Sequence, residues 1–164
     1  MSADKFPPGE PRDLVYNVVS DGASAALVKR GAERNRIVAC SQVTKGALWD
    51  GGSLESEIVA AYFPTAKNLI ESTLRKAGLK IEDISLVIPH NVSARSWEIL
   101  GKLIGCPPHL IYTKNIRCAG HTIASDNILN LQHATEEGLI SRGDYLLLFS
   151  FGYGLNWACM ILEH

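Results

Sequence analysis

A nearly unbroken apolar run, ISLVI at residues 84–88, is followed at once by Pro89, His90 and a helical pattern. Five residues of this kind read as a strand buried on both faces, which requires a sheet with helices on each side. The neighbouring segments fit that demand. NRIVACSQVT, LIYTKNI, DYLLLFSF and LNWACMIL read as further strands, the last two joined by Gly152-Tyr153-Gly154.

Helical spacing appears between them. Pro64 suits the first turn of a helix, followed by Ala66, Leu69, Ile70, Leu74 and Ala77 and stopped by Gly78. A shorter helix is expected before it, through ESEIVAAYF. Ser93 is the expected N-cap of a helix with Trp97, Leu100, Leu103 and Ile104 on one side. IASDNILNLQHATEEG reads as a third helix, closed by Gly138. LVYNVVSDGASAALVKR reads as a hairpin turning at Asp21-Gly22. The order is hairpin, β, α, β, α, β, α, β, β. It predicts an α/β fold with a mixed, mostly parallel sheet covered by helices. Residues 1–13, with Pro7, Pro8 and Pro11, form an expected flexible leader, and residues 14–164 a single domain.

Sixteen Lys+Arg against seventeen Asp+Glu, in 164 residues without a block of like charge, argue against nucleic acid as a partner. No apolar run approaches a bilayer span, so no membrane segment is expected. The four cysteines, at 40, 106, 118 and 159, form no CxxC pair and match no zinc module. Reduced, mostly buried thiols in a cytoplasmic protein are the expectation.

In open α/β sheets, ligands bind beyond the carboxyl ends of the strands. His90 ends one strand, His121 in CAGHT follows the next, and FGYG follows the last long one. Two imidazoles and a glycine-flanked turn are thereby placed on one side of the sheet. The competing reading is structural: hydrogen-bonded histidines and an ordinary hairpin turn. His109 and His133 read as structural or exposed, and Trp157 as core.

Together, VIPHNVSAR, NIRCAGHTIASDNILNLQHA, GLISRGDYLLLFSFGYGLNWACMIL and VSDGASAALV resemble the C-terminal half of a class III β-ketoacyl-acyl-carrier-protein synthase. That group is a branch of the thiolase-like condensing enzymes, and the likeness runs in order from about Val15 to Leu162. It implies a condensing enzyme or acyltransferase in which the histidine pair serves decarboxylative condensation or acyl transfer with thioesters of coenzyme A or acyl carrier protein, without a metal or redox cofactor. In the family a cysteine takes up the acyl group, and two N–H donors stabilise charge on the second thioester's oxygen. The resemblance puts His90 at the histidine opening the family's HQAN motif, written HNVS here, and Arg95 at a position that docks the carrier protein or coenzyme A. It puts Gly120-His121 at the family's Gly-Asn, with histidine replacing asparagine, and Tyr153 in a glycine turn whose backbone N–H serves the oxyanion hole.

The family's nucleophilic cysteine belongs to the N-terminal half. Cys118 is the only cysteine near the expected site and does not replace it by motif. The resemblance therefore implies a cysteine-bearing partner chain in a hetero- or homo-oligomer, and the Met start and polar leader fit a separately encoded half. The alternatives are a non-catalytic scaffold and a truncated synthase.

Overall fold

The computed structural model of the protein describes residues 1–11, 13, 14, 17–48, 55–152 and 155–164. Four short strands come first: β1 (Ser2–Asp4), β2 (Asp13–Leu14), β3 (Asn17–Val18) and β4 (Gly22–Ser24). Then follow β5 (Arg36–Thr44), α1 (Glu55–Ala77), β6 (Ile84–Ile88), α2 (Ala94–Ile104), α3 (Lys114–Cys118), α4 (Asp126–Glu136), β7 (Tyr145–Gly152) and β8 (Asn156–Glu163).

The main sheet has the order β5-β8-β7-β6. Its central strand β7 is buried on both faces, as its sequence of Leu146, Leu147, Leu148 and Phe149 requires. Leu147 and Phe149 join Val87, Trp157, Cys159 and Ile161 in a core against Ile70 and Leu74 of α1 and Trp97 and Leu100 of α2. Leu146 joins Leu86, Ile88 and Leu162 in a second core on the opposite face, with Ala134 of α4 and Ile140. The sheet is mixed, as expected, but its parallel share is smaller than the element order implied. β6 pairs with β7 in parallel, whereas β7–β8 and β5–β8 are antiparallel.

Several local expectations are corrected. The hairpin at Asp21-Gly22 does not form: β4 pairs instead with β1, so part of the Pro-rich leader lies in a ladder, and β2 pairs with β3. Gly22 serves close approach, because a Cβ there would stand 2.5 Å from Thr122 Cβ. LIYTKNI makes no strand. Only Ile111 bridges Val87, and the chain then coils into α3. Pro64 lies inside one continuous helix rather than opening a second. The buried stripe of Ile58, Ala66, Leu69, Ile70 and Leu74 continues across it, so packing overrides the lost backbone hydrogen bond. Leu103 is exposed on α2, where Trp97, Leu100, Gly101 and Ile104 form the buried side. Cys106 and Cys159 are buried, but Cys40 and Cys118 are exposed, so only half of the thiols follow the expectation. No described helix is long and apolar enough to cross a membrane.

The double-sided core makes β7 the part least tolerant of truncation. Leu147 is fully buried, so Leu147→Ala is expected to cost about 2–5 kcal/mol. Val43→Ala, on the exposed side of edge strand β5, is expected to stay within about 0.5 kcal/mol. Urea unfolding followed by circular dichroism measures both, and equal losses would contradict the assignment of the core.

Candidate active site

Strand β6 delivers His90, and Ser93 then caps α2 by accepting the Ser96 backbone N–H. On the other side, α3 leads into Gly120 and His121, and the backbone of His121 is held by Ser20, whose N–H donates to its carbonyl at 2.8 Å. The two imidazoles expected from the sequence do meet. Their ring centroids lie 4.5 Å apart at 85°, edge to face, and both residues are only 8% exposed.

The residue that organises them is one the sequence reading passed over. Asp126 opens α4, is completely buried, and is surrounded by donors. Thr122 gives its backbone N–H and its hydroxyl to Oδ1, at 2.6 and 2.7 Å. Asn91 gives its backbone N–H to Oδ2 at 2.7 Å, and His121 Nδ1 stands 2.7 Å from the same oxygen. His90 Nε2 lies 3.5 Å from it. Burial works against the charge on Asp126. The hydrogen bond from His121, the nearby His90 and the Thr122 donors outweigh it and hold the carboxyl below its ordinary range. The start of a helix is also a favourable place for an anion.

An ionised carboxylate only accepts hydrogen bonds, so His121 carries its proton on Nδ1. Nε2 of the neutral ring is then a bare lone pair, the form suited to taking a proton from an attacking group. His90 is set differently. Its Nε2 faces the Ile123 carbonyl at 3.0 Å and must donate, while Nδ1 faces the Phe151 N–H at 3.5 Å. Ile123 reaches His90 from a left-handed backbone conformation, φ 55°, which is unusual for a β-branched residue. Burial pushes the His90 imidazole below its ordinary value of 6.5, against the opposing pull of Asp126, with His121 adding to the depression.

His90, His121 and Asp126 place three ligand-type atoms within 4.8 Å of one another. Two donors on one tetrahedral zinc ion stand about 3.3 Å apart, as bonds of 2.0–2.1 Å require. The 2.7 Å between His121 Nδ1 and Asp126 Oδ2 is instead a hydrogen-bond length. The trio is therefore built as a hydrogen-bonded dyad beside a second imidazole.

Arg95 stands apart on the exposed first turn of α2, paired with Glu98 at 2.9 Å. Tyr153 lies outside the described residues. His133 is half-buried against Asn115, and His109 is exposed. The one sequence signal for Asp126 was its place five residues after His121, at the head of a helix.

The depressed groups make folding sensitive to acid. The unfolded chain protonates residue 90 near its ordinary 6.5, whereas the folded chain does so only at lower pH, so stability falls as pH drops through this range. Asp126, with its lowered pKa, contributes stability above its ordinary 3.8 that is lost at still lower pH. Urea midpoints measured against pH are expected to decline from about 6.5 downward, and His90→Gln is expected to flatten that upper part. The same decline in His90→Gln would contradict the depressed imidazole.

Residues 74–164 match the family model described as 3-Oxoacyl-[acyl-carrier-protein (ACP)] synthase III C terminal. The β-ketoacyl-[acyl-carrier-protein] synthase III of Aquifex aeolicus is 29% identical over 153 residues, covering 88% of this chain and 49% of that protein. The Clostridium tetani enzyme is 34% identical over 94 residues, covering 57% of this chain and 28% of that protein. The solved Aquifex aeolicus synthase III superposes with a TM-score of 0.73 at 26% identity, over 83% of this chain and 46% of that one. ChlB3, an acyltransferase, superposes with a TM-score of 0.85 at 20% identity, over 98% of this chain and 56% of that one. The chain thus spans about half the length of the Aquifex aeolicus synthase it matches. The fold is that of the thiolase-like synthases, and the chain belongs to the 3-oxoacyl-[acyl-carrier-protein] synthase III C-terminal family.

Proposed function

We propose that this chain supplies the histidine side of a composite acyl-transfer site, completed by a partner chain carrying the nucleophilic cysteine. The observation that carries the reading is the 2.7 Å contact between His121 Nδ1 and the buried Asp126 carboxylate, which leaves Nε2 as a base. Family membership supports thioesters of acyl carrier protein or coenzyme A as acyl donors. The length of the matched synthases supports a second half-domain as the partner. Leu27 and Val28, 90% and 80% exposed just after β4, are apolar surface that such a partner would cover.

In this reading the partner's thiolate attacks the donor thioester and expels the carrier as its thiolate. An acceptor O–H or N–H then attacks the acyl-cysteine. His121 Nε2 takes the acceptor's proton as the new bond forms, and Asp126 stabilises the resulting imidazolium. The tetrahedral intermediate collapses, the cysteine sulfur leaves, and the imidazolium returns the proton to it. The Tyr153 backbone N–H is assigned to the oxyanion, Arg95 to the carrier or coenzyme A, and His90 to the substrate side of the pocket. No metal or redox cofactor is required by these steps.

Decarboxylative condensation with a malonyl thioester is the second reading, favoured by the family itself. It needs N–H donors aimed at the thioester oxygen, a part to which the Nδ1-protonated His121 is less suited.

Co-expression with a synthase half bearing the cysteine, assayed with acetyl-coenzyme A as donor, tests the proposal. His121→Ala and Asp126→Asn are expected to lower the transfer rate by about 10²–10⁴-fold, and His90→Ala is expected to lower it as well. A full rate without either imidazole would instead identify a scaffold. Release of carbon dioxide from malonyl-coenzyme A by the complex would favour condensation.

A further inference from the structure

Both histidine-bearing loops are tied to one buried amide, Asn130. It lies one helical turn after Asp126 on α4 and is completely buried. Its Nδ2 donates to the Pro89 carbonyl and to Asn91 Oδ1, each at 2.8 Å. Its Oδ1 accepts from Asn115 Nδ2 at 2.9 Å. Asn91 in turn donates from Nδ2 to the Gly120 carbonyl at 3.0 Å, beside His121, and from its backbone to Asp126. Asn115 fixes the same loop from the other side, its carbonyl accepting the Gly120 N–H at 3.0 Å. Pro89 precedes His90 and Gly120 precedes His121, so the network holds the residue before each imidazole.

We propose that Asn130 is a positioning residue of the site, setting the His121–Asp126 contact through Asn91 and Asn115. An amide is required because the position must donate twice and accept at once, which neither a carboxylate nor a hydroxyl can do. A satisfied buried network of this kind fixes one arrangement, whereas one missing donor leaves a buried carbonyl unpaired. The consequence for turnover rests on the acyl-transfer reading, but the geometric claim is tested without it.

The test uses the whole chain labelled with ¹⁵N-histidine. Long-range ¹H–¹⁵N spectra report which nitrogen of His121 is protonated, and solvent exchange of that proton reports how firmly Asp126 holds it. The expected result is protonation on Nδ1 in the unmodified chain. Exchange is expected to be about tenfold faster in Asn130→Asp, the equivalent of one buried hydrogen bond. Leu147→Ala, which loses packing in the core shared with α1 and α2 rather than the one shared with α4, is the control for lost stability alone. Exchange in Asn130→Asp no faster than in Leu147→Ala would overturn the proposal. If Asn130→Asp does not fold, Asn115→Ser removes one arm of the network and is read the same way. Faster exchange supports the proposal, and exchange matching the control overturns it. Either result stands whether or not the chain takes part in acyl transfer.

Discussion

A carboxylate with no exposed surface must be matched by donors or it will not stay ionised, and the geometry around Asp126 follows from that requirement. Its four close donors come from two loops: the backbone of Asn91 in the one after β6, and Thr122 and the ring of His121 in the one after α3. None of these segments reaches it without a fixed path from the sheet. β6 must end where Asn91 can turn its N–H inward, and Ser20 must hold the backbone of His121. Gly22 must lack a side chain so that Thr122 can lie against it. The interaction that sets the His121 tautomer also keeps the two loops in register.

Much of the scaffold was legible because local pattern and burial agree. β6, β7 and β8 announce themselves as apolar runs, and α2 carries a serine cap and a one-sided apolar stripe. Where the sequence misleads, a distant contact outweighs a local signal. Asp21-Gly22 looks like a turn, yet the glycine is there for Thr122, a hundred residues later. Pro64 looks like a helix start, yet the stripe facing the sheet runs on either side of it. LIYTKNI has strand composition, but only Ile111 finds a partner beside β6.

The site was legible in part for the same reason. Two histidines after successive expected strands, together with their match to family motifs, brought the imidazoles together, although the second of those strands, LIYTKNI, does not form. Asp126 stood in plain view within the segment that suggested the third helix, but an aspartate at a helix start is ordinary. Its role depends on donors at residues 91, 121 and 122, a set that no spacing rule collects. The asparagines at 91, 115, 127 and 130 are similar. Asn127 satisfies the carbonyls of Ile88 and Phe149 at 3.0 and 3.1 Å, a task defined only once the ends of β6 and β7 are side by side.

A histidine at position 121, where the resemblance expects asparagine, differs in what it can do, since an asparagine amide donates a hydrogen bond but cannot act as a base at neutral pH. In the proposed complex with a cysteine-bearing half, His121→Asn separates the two roles. The measurement is the single-turnover rate at which an acyl group already on the partner's cysteine passes to a hydroxyl or amine acceptor. Loss of that step, with acylation of the cysteine unchanged, is the result this account predicts. An asparagine chain that transfers the acyl group as fast as the histidine chain would show that donation suffices and that the Asp126–His121 pair is no base.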